Sequence, residues 1–529
     1  MTKQAKKQTF GVIVTTRSFF PSHLAKSARE AIAGLLDRLG YGAVMVGERD
    51  TGHGAVMTLG EAKTCAELFR RRRDEISGII AVLPNFGEEL GVAEAIDRAG
   101  LGVPILVQAC DDDFDRLDMG NRRDAFCGKI SLCNSLYQRG IPFTGTTLHT
   151  CALDSAEFEK DVRDFAAVCN VANGLRGARI AMLGARPAAF GTVRFSEKIL
   201  QRHGISVQTV DLSEVIAAAR RMGGDGDGNS CGDCGDGDGN SCGGGERGND
   251  GSNCDGSNSG GNCGGGDTAA IKAKCDEIRA YGRIAESVGP EKIALQARLC
   301  LAMEQFVDSL DCQASSVQCW DSLENNYGCA ACLGMSMMGE RGKPSACEAD
   351  VAGALSMLAA QLAAGSPPAL MDWNNNARGD RDACIALHCS NFPKSFFQAG
   401  DMEIGCLDVL GGELGEDRSF GACKAQVAAG PMTYLRITTD DARGVMKMYT
   451  GEGEFVSEPV PTKGGVANCR VPGLQKLMKH ICGNGFEHHV CFVRGRWASV
   501  LEEALGKYMG VEVYNHKHNE RGGCRDETG

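Results

Sequence analysis

Fourteen residues without a charge, Val351–Ala364 (VAGALSMLAAQLAA), are bracketed by acids: Glu348 and Asp350 stand just ahead, and Asp372 follows beside Trp373 and three asparagines. Ala, Leu and Met favour helix and the run offers no polar face, so it predicts a helix buried on all sides. Such a helix fixes both of its ends in space. An ionised carboxylate against apolar sequence is costly unless a cation, a partner charge or hydrogen bonds compensate it. Glu348 and Asp372 are therefore either solvated helix-end acids or two ligands of a divalent metal, completed by a histidine from elsewhere. Asp350 reads either as a hydrogen-bond partner behind such a site or as an acid at the helix N-terminus, where the dipole favours it.

The length, 529 residues, predicts three or four domains. A net charge of −12 and the lack of a long basic stripe argue against nucleic acid as a partner. No run of about 20 apolar residues offers a membrane span, and residues 1–14 carry no cleavage-site pattern of a secretion signal. The 26 cysteines scatter through predicted elements with no framework spacing, which points to reduced thiols and the cytoplasm.

Strand and helix alternate from residue 10 onward: strands over 10–15, 41–46, 76–83 and 104–107, with helices over 23–39, 58–70, 88–99 and 129–138. This βαβ spacing predicts a parallel sheet covered on both faces, with ligands at the carboxyl ends of its strands. The rhythm restarts near residue 173 with strands over 179–183 and 207–210 and helices over 192–203 and 213–221. Residues 223–266, of which 19 of 44 are glycine, cannot bury enough apolar area to fold and read as a disordered insertion. Their repeated DGDGNSCG fails as a calcium loop, because Ser230 stands where glycine is required. The final third is β-rich, with strands over 432–438, 445–450, 454–456, 489–493 and 511–514 separated by glycine turns, and a helix over 497–508. The fold class is α/β: two Rossmann-like or flavodoxin-like domains, 1–172 and 173–365 (insertion 222–267), then a β-rich, barrel-like domain, 366–529.

Two histidines adjoin at the start of one late strand, His488 and His489. Adjacent strand residues point to opposite faces, so one of the two is the candidate third ligand. Two carboxylates with one imidazole suit Mn²⁺, Mg²⁺ or Co²⁺. Open coordination positions could take two adjacent oxygens of a substrate, the arrangement for moving a proton between neighbouring carbons of a hydroxy-aldehyde.

With these residues in place, the chain resembles the L-fucose isomerase family of ketol isomerases. RRDAFCGK, residues 122–129, resembles the family's signature; Glu348 and Asp372, 24 residues apart, resemble its metal carboxylates; and HHVCFVRG resembles its C-terminal histidine segment, aligned on Gly495 so as to select His489. The resemblance implies a hexamer with a Mn²⁺-dependent aldose–ketose isomerisation through a cis-enediol. In that scheme Glu348, Asp372 and His489 hold the metal, and Glu348 and Asp372 shuttle the proton between C1 and C2. It also implies that Arg17 reaches a sugar in a neighbouring subunit's site. His488 stands where the family carries asparagine, and His388 and Lys394 follow the metal helix; with Arg17, His388 and His488 are the candidate substrate contacts. Added polarity of this kind suits a sugar with a sulfonate or phosphate at C6. The competing readings are a sugar-binding or sensing protein without catalysis, and a metal-dependent aldolase or hydrolase on the same ligand set.

Overall fold

In the computed structural model, which describes residues 7–222, 264–408, 412 and 414–517, three sheets carry the chain. The first has five parallel strands in the order Gly42–Val44, Thr9–Val14, Ile76–Leu83, Ile105–Ala109, Thr144–Gly145. This is the flavodoxin-like order, and it follows from right-handed crossovers that place helices on both faces. The second sheet is parallel as well, in the order Ser206–Val210, Arg179–Leu183, Ala314–Val317, Ser345–Ala346. The third has ten strands. Six of them, Val445–Val456, Gly430–Asp440, His489–Arg494, Ala369–Asn376, Ala383–His388 and Gly465–Arg470, pair antiparallel with one another in that order, and the sixth pairs back with the first. The ring is therefore a closed barrel, which leaves those strands no open edge.

Val351–Ala364 is helical over the expected span, with eleven of its fourteen residues buried. It packs on one side against Ile180 and Ala314 of the second sheet and on the other against Leu370, Leu435 and Cys491 on the outer wall of the barrel. Full burial of Val351, Leu355 and Leu358 contributes roughly 1.5–3 kcal/mol each. Met371, Tyr434, Tyr449, Phe455 and Phe492 fill the barrel interior. No helix among the described residues is long and apolar enough to cross a membrane.

Several elements differ from the sequence reading. Strands 445–450 and 454–456 are one strand, Val445–Val456. The glycines expected to turn there instead allow close packing: a Cβ on Gly451 would lie 2.2 Å from the Tyr434 hydroxyl, and one on Gly453 would lie 2.5 Å from the Arg470 carbonyl oxygen. The helix expected over 192–203 is confined to Glu197–Arg202, because the Ser196 hydroxyl accepts from Ile199 N–H and sets its start. The helix expected over 497–508 is a short α segment, Ala498–Leu501, followed by a π turn, Glu502–Lys507. Helix after the insertion begins at Gly264, inside the expected insertion bounds of 222–267. The remainder of the insertion reading, with its repeat, lies outside the described residues.

Candidate functional site

The second parallel sheet and the barrel meet at one place. Phe190, Trp320 and Glu348 stand beyond the carboxyl ends of the strands Arg179–Leu183, Ala314–Val317 and Ser345–Ala346, where open α/β sheets bind ligands. From the barrel come Asp372 and His489, cross-strand neighbours in register and hence on one face, and His388 at the end of the adjacent strand. Asp372 is a strand residue, not the helix-end acid of the first reading, because the chain turns at Gly365 and re-enters the barrel at Ala369. Glu348 and Ala349 have φ of +61° and +53°, a left-handed pair without glycine. Backbone strain of this kind costs roughly 1–3 kcal/mol per residue and persists where surrounding packing over-determines it.

The polar atoms converge. Glu348 Oε2 and His489 Nε2 are 2.9 Å apart, and Asp372 Oδ1 lies 3.6 Å from His489 Nε2. Neither these three atoms nor His388 Nδ1 has a hydrogen-bond partner among the described residues, although all are buried. Orphaned buried polar atoms cost about 1–3 kcal/mol each, and a cation between them removes that cost. One atom each from Glu348, His388 and His489 lie within 4.8 Å of one another, as do those from Asp372, His488 and His489. The donor set, carboxylate oxygens with imidazole nitrogens, fits a hard-to-borderline divalent ion.

Behind this front, Glu348 Oε1 accepts from Trp320 Nε1 at 3.0 Å, and His489 Nδ1 lies 2.8 Å from Asp350 Oδ2. Burial works against the charged form of Glu348, but His489 and His388 outweigh it and lower its pKa. Burial likewise opposes charge on His489, yet the Asp350 and Glu348 carboxylates push it up to about 10. His388 is pushed up to about 9 against its burial, by Cys389, Asp372 and Glu348.

A cavity of about 480 Å³ opens from these atoms and is lined by Phe190, Trp320, Glu348, Asp372, His388, Lys424 and Lys463 among others. Its size suits a small ligand. The structure thus brings together Glu348, Asp372, His489 and His388. His488 joins them through Asp372 Oδ1, 3.6 Å from its Nε2. The expectation that only one of the paired histidines faces the site is corrected: the strand begins at His489, so His488 lies outside the alternation. Arg17 is elsewhere, on the first sheet, paired with Glu88 and Glu89 and lying over Phe86. Lys394 sits on an exposed turn beside Tyr281 and is replaced at the cavity by Lys424 and Lys463.

The sequence reading missed Trp320, Lys424 and Lys463, and also Arg436, which is fully buried beside Asp350. Only Arg436 left a signal, as a lone charge inside the apolar run MTYLRIT. In RRDAFCGK, Arg122 pairs with Asp124 at 2.8 Å, Arg123 donates to the Pro84 carbonyl, and Lys129 donates to Thr146 and to the His149 carbonyl.

Comparison with known proteins bears on two stretches. A family model described as "Fucose/sulfoquinovose isomerase, N-terminal domain" matches residues 11–176, and one described as "L-fucose isomerase, C-terminal domain" matches residues 386–517. A sulfoquinovose isomerase of Alkalicoccus urumqiensis is 26% identical over 219 residues, 41% of this chain and 47% of that protein. One of Priestia aryabhattai is 30% identical over 227 residues, 42% of this chain and 48% of that protein. The chain spans about half the length of these relatives. His388 and His489 fall within a matched stretch; Glu348 and Asp372 fall between the two.

Proposed function

The chain belongs to the fucose isomerase family, and on that footing we propose that it is a metal-dependent aldose–ketose isomerase acting on a hexose with an anionic group at C6, of the sulfoquinovose type. The observation that carries the reading is that Glu348 Oε2 and Asp372 Oδ1, both buried and without hydrogen-bond partners among the described residues, lie 2.9 and 3.6 Å from His489 Nε2, with both acids lining a sugar-sized cavity. Glu348, Asp372 and His489 would hold Mn²⁺, or Mg²⁺ or Co²⁺ in its place. When bound, such an ion polarises the carbonyl and hydroxyl oxygens of a sugar and holds them side by side.

This chain's own groups supply the rest. Glu348 is oriented by the Trp320 N–H, and Asp372 is held in register on the strand beside His489. One takes a proton from C2 of the open-chain aldose and the other returns one at C1, through a cis-enediol; such positioned acid–base pairs contribute about 10²–10⁴-fold each. Phe190 and Trp320 wall the cavity against water, and their rings stand 5.3 Å apart edge to face. His388 and His488 face the sugar hydroxyls. Lys424, held at 3.0 Å by Asp408, and the exposed Lys463 supply positive charge at the cavity wall for a sulfonate or phosphate. The twenty cysteines described are all free, which suits a reducing cytoplasm.

The test is ketose formation from L-fucose, D-arabinose, sulfoquinovose and glucose 6-phosphate, with added Mn²⁺ or with a chelator. Turnover of an anionic hexose that stops on chelation, and that falls at least about 10²-fold in Glu348→Gln, is expected. Sugar binding without turnover on any of the four would overturn the assignment.

A further inference from the structure

Behind the cluster runs a line of buried charge that the proposed chemistry does not use. Arg436, on the strand Gly430–Asp440, sets its guanidinium between two acids. Its two terminal nitrogens donate to Asp350 at 2.5 and 3.0 Å, and its Nε donates to Glu487 at 3.0 Å. The other oxygen of Glu487 accepts from the Thr438 hydroxyl. Arg436 and Asp350 are completely buried, and Glu487 nearly so.

Asp350 has no acceptor capacity left. Gly353 N–H and one Arg436 nitrogen occupy Oδ1; the other Arg436 nitrogen and His489 Nδ1 occupy Oδ2. An ionised carboxylate offers about four lone-pair sites and no donor, so every one of these contacts must be a donation to Asp350. The proton of the His489 contact therefore sits on Nδ1. On the other side of the ring, Nε2 faces Glu348 Oε2 at 2.9 Å and Asp372 Oδ1 at 3.6 Å, the two carboxylates of the proposed metal position. Room for the arrangement depends on Gly353, where a Cβ would lie 2.4 Å from Asp350 Oδ2 and 3.1 Å from an Arg436 nitrogen.

We propose that Asp350, Arg436 and Glu487 are a positioning unit that fixes the proton of His489 on Nδ1 and so presents its Nε2 to the metal position. The unit rests on the metal-dependent reading above. Arg436 and Glu487 act only through Asp350, since their partners lie on the far side of His489 from the cavity. A bidentate, planar guanidinium is required, because it locks both carboxylate oxygens at once while leaving one lone pair for the imidazole.

The experiment pairs a binding measurement with a spectroscopic one. Mn²⁺ affinity is measured by electron paramagnetic resonance for wild type, Asp350→Asn, Arg436→Lys and Glu487→Gln. Solid-state ¹⁵N NMR of the metal-free, histidine-labelled protein reads Nδ1 of His489, identified by the signal lost in His489→Gln. The expected result is a protonated Nδ1 in wild type, a bare Nδ1 in Asp350→Asn where the amide can donate, and Mn²⁺ binding about 10–100-fold weaker in that variant. Arg436→Lys, which keeps the charge and loses the fork, should fall between the two and serves where Asp350→Asn does not fold. A bare Nδ1 in wild type, or folded variants that bind Mn²⁺ as wild type does, would overturn the proposal. Absence of both divalent binding and ketose formation in wild type would instead count against the isomerase reading, while the Nδ1 signal still decides this one.

Discussion

Glu324 is fully buried, and neither of its carboxyl oxygens has a hydrogen-bond partner among the described residues. Burial, with Asp321 adding to it, pushes its pKa from 4.5 up to about 8. Between those two values the folded chain keeps a proton that the unfolded chain has released, so stability falls as pH rises through that window and levels off above it. Glu324→Gln removes the loss: its stability should exceed that of wild type at pH 9 by on the order of a few kcal/mol, read as a higher melting temperature, and nearly match it at pH 5. Equal melting curves at both pH values would show that Glu324 is ionised without cost. At this scale the sequence disclosed the residues that touch the cluster more readily than those that support it. Glu348, Asp372 and His489 were legible as acids and a histidine at the ends of apolar runs. Trp320, Lys424 and Lys463 were not, because each is ordinary in its own segment and gains meaning only when strands far apart in sequence meet.

Among elements, the helix Val351–Ala364 and the parallel strands were legible because a fully apolar helix and a βαβ rhythm each have few alternatives. The barrel strands were harder. Gly430–Asp440 was legible over 432–438, but Ala369–Asn376, Ala383–His388 and Gly465–Arg470 were not: Leu370 packs against the central helix and Met371 into the barrel interior, so both faces are buried and the polar alternation that marks a strand disappears. Asp372 was legible beyond the buried helix but not as a strand residue, for the same reason: its strand shows only in its pairing with the His489 strand. The helix Ala125–Gln138 began four residues before its expected start, and its glycine shows why the local sequence is tight. A Cβ on Gly128 would lie 1.7 Å from the Phe86 carbonyl oxygen, a backbone atom. Gly128→Ala should therefore force the helix off the sheet and destabilise the chain by about 1–3 kcal/mol, read as a lowered urea midpoint. An unchanged midpoint would mean that this helix can shift freely.

At the scale of the whole molecule, the exposed large apolar side chains of the described residues are confined to one region. Among the described residues they run from Phe19 to Leu148, and they include Leu59, Leu90, Phe114, Met119 and Tyr137. Most stand on loops and helix starts beyond the carboxyl ends of the first sheet, an apolar end that an assembly of copies would cover. Light scattering should give several times the 56.0 kDa chain mass, six times for the expected hexamer, and the double variant Phe114→Asp, Met119→Asp should lower it. A wild-type particle of one chain mass would rule out that use of the surface. The closed ring has a consequence of its own for how the molecule is made. Its last strand in chain order, His489–Arg494, seats itself between Ala369–Asn376 and Gly430–Asp440, both synthesised well before it. Until that strand leaves the ribosome, a nascent chain carries Asp372 on an open sheet without His489 beside it. Closing the ring and delivering His489 are one event, so the growing polypeptide has no stage at which a finished barrel lacks its site or a finished site lacks its barrel.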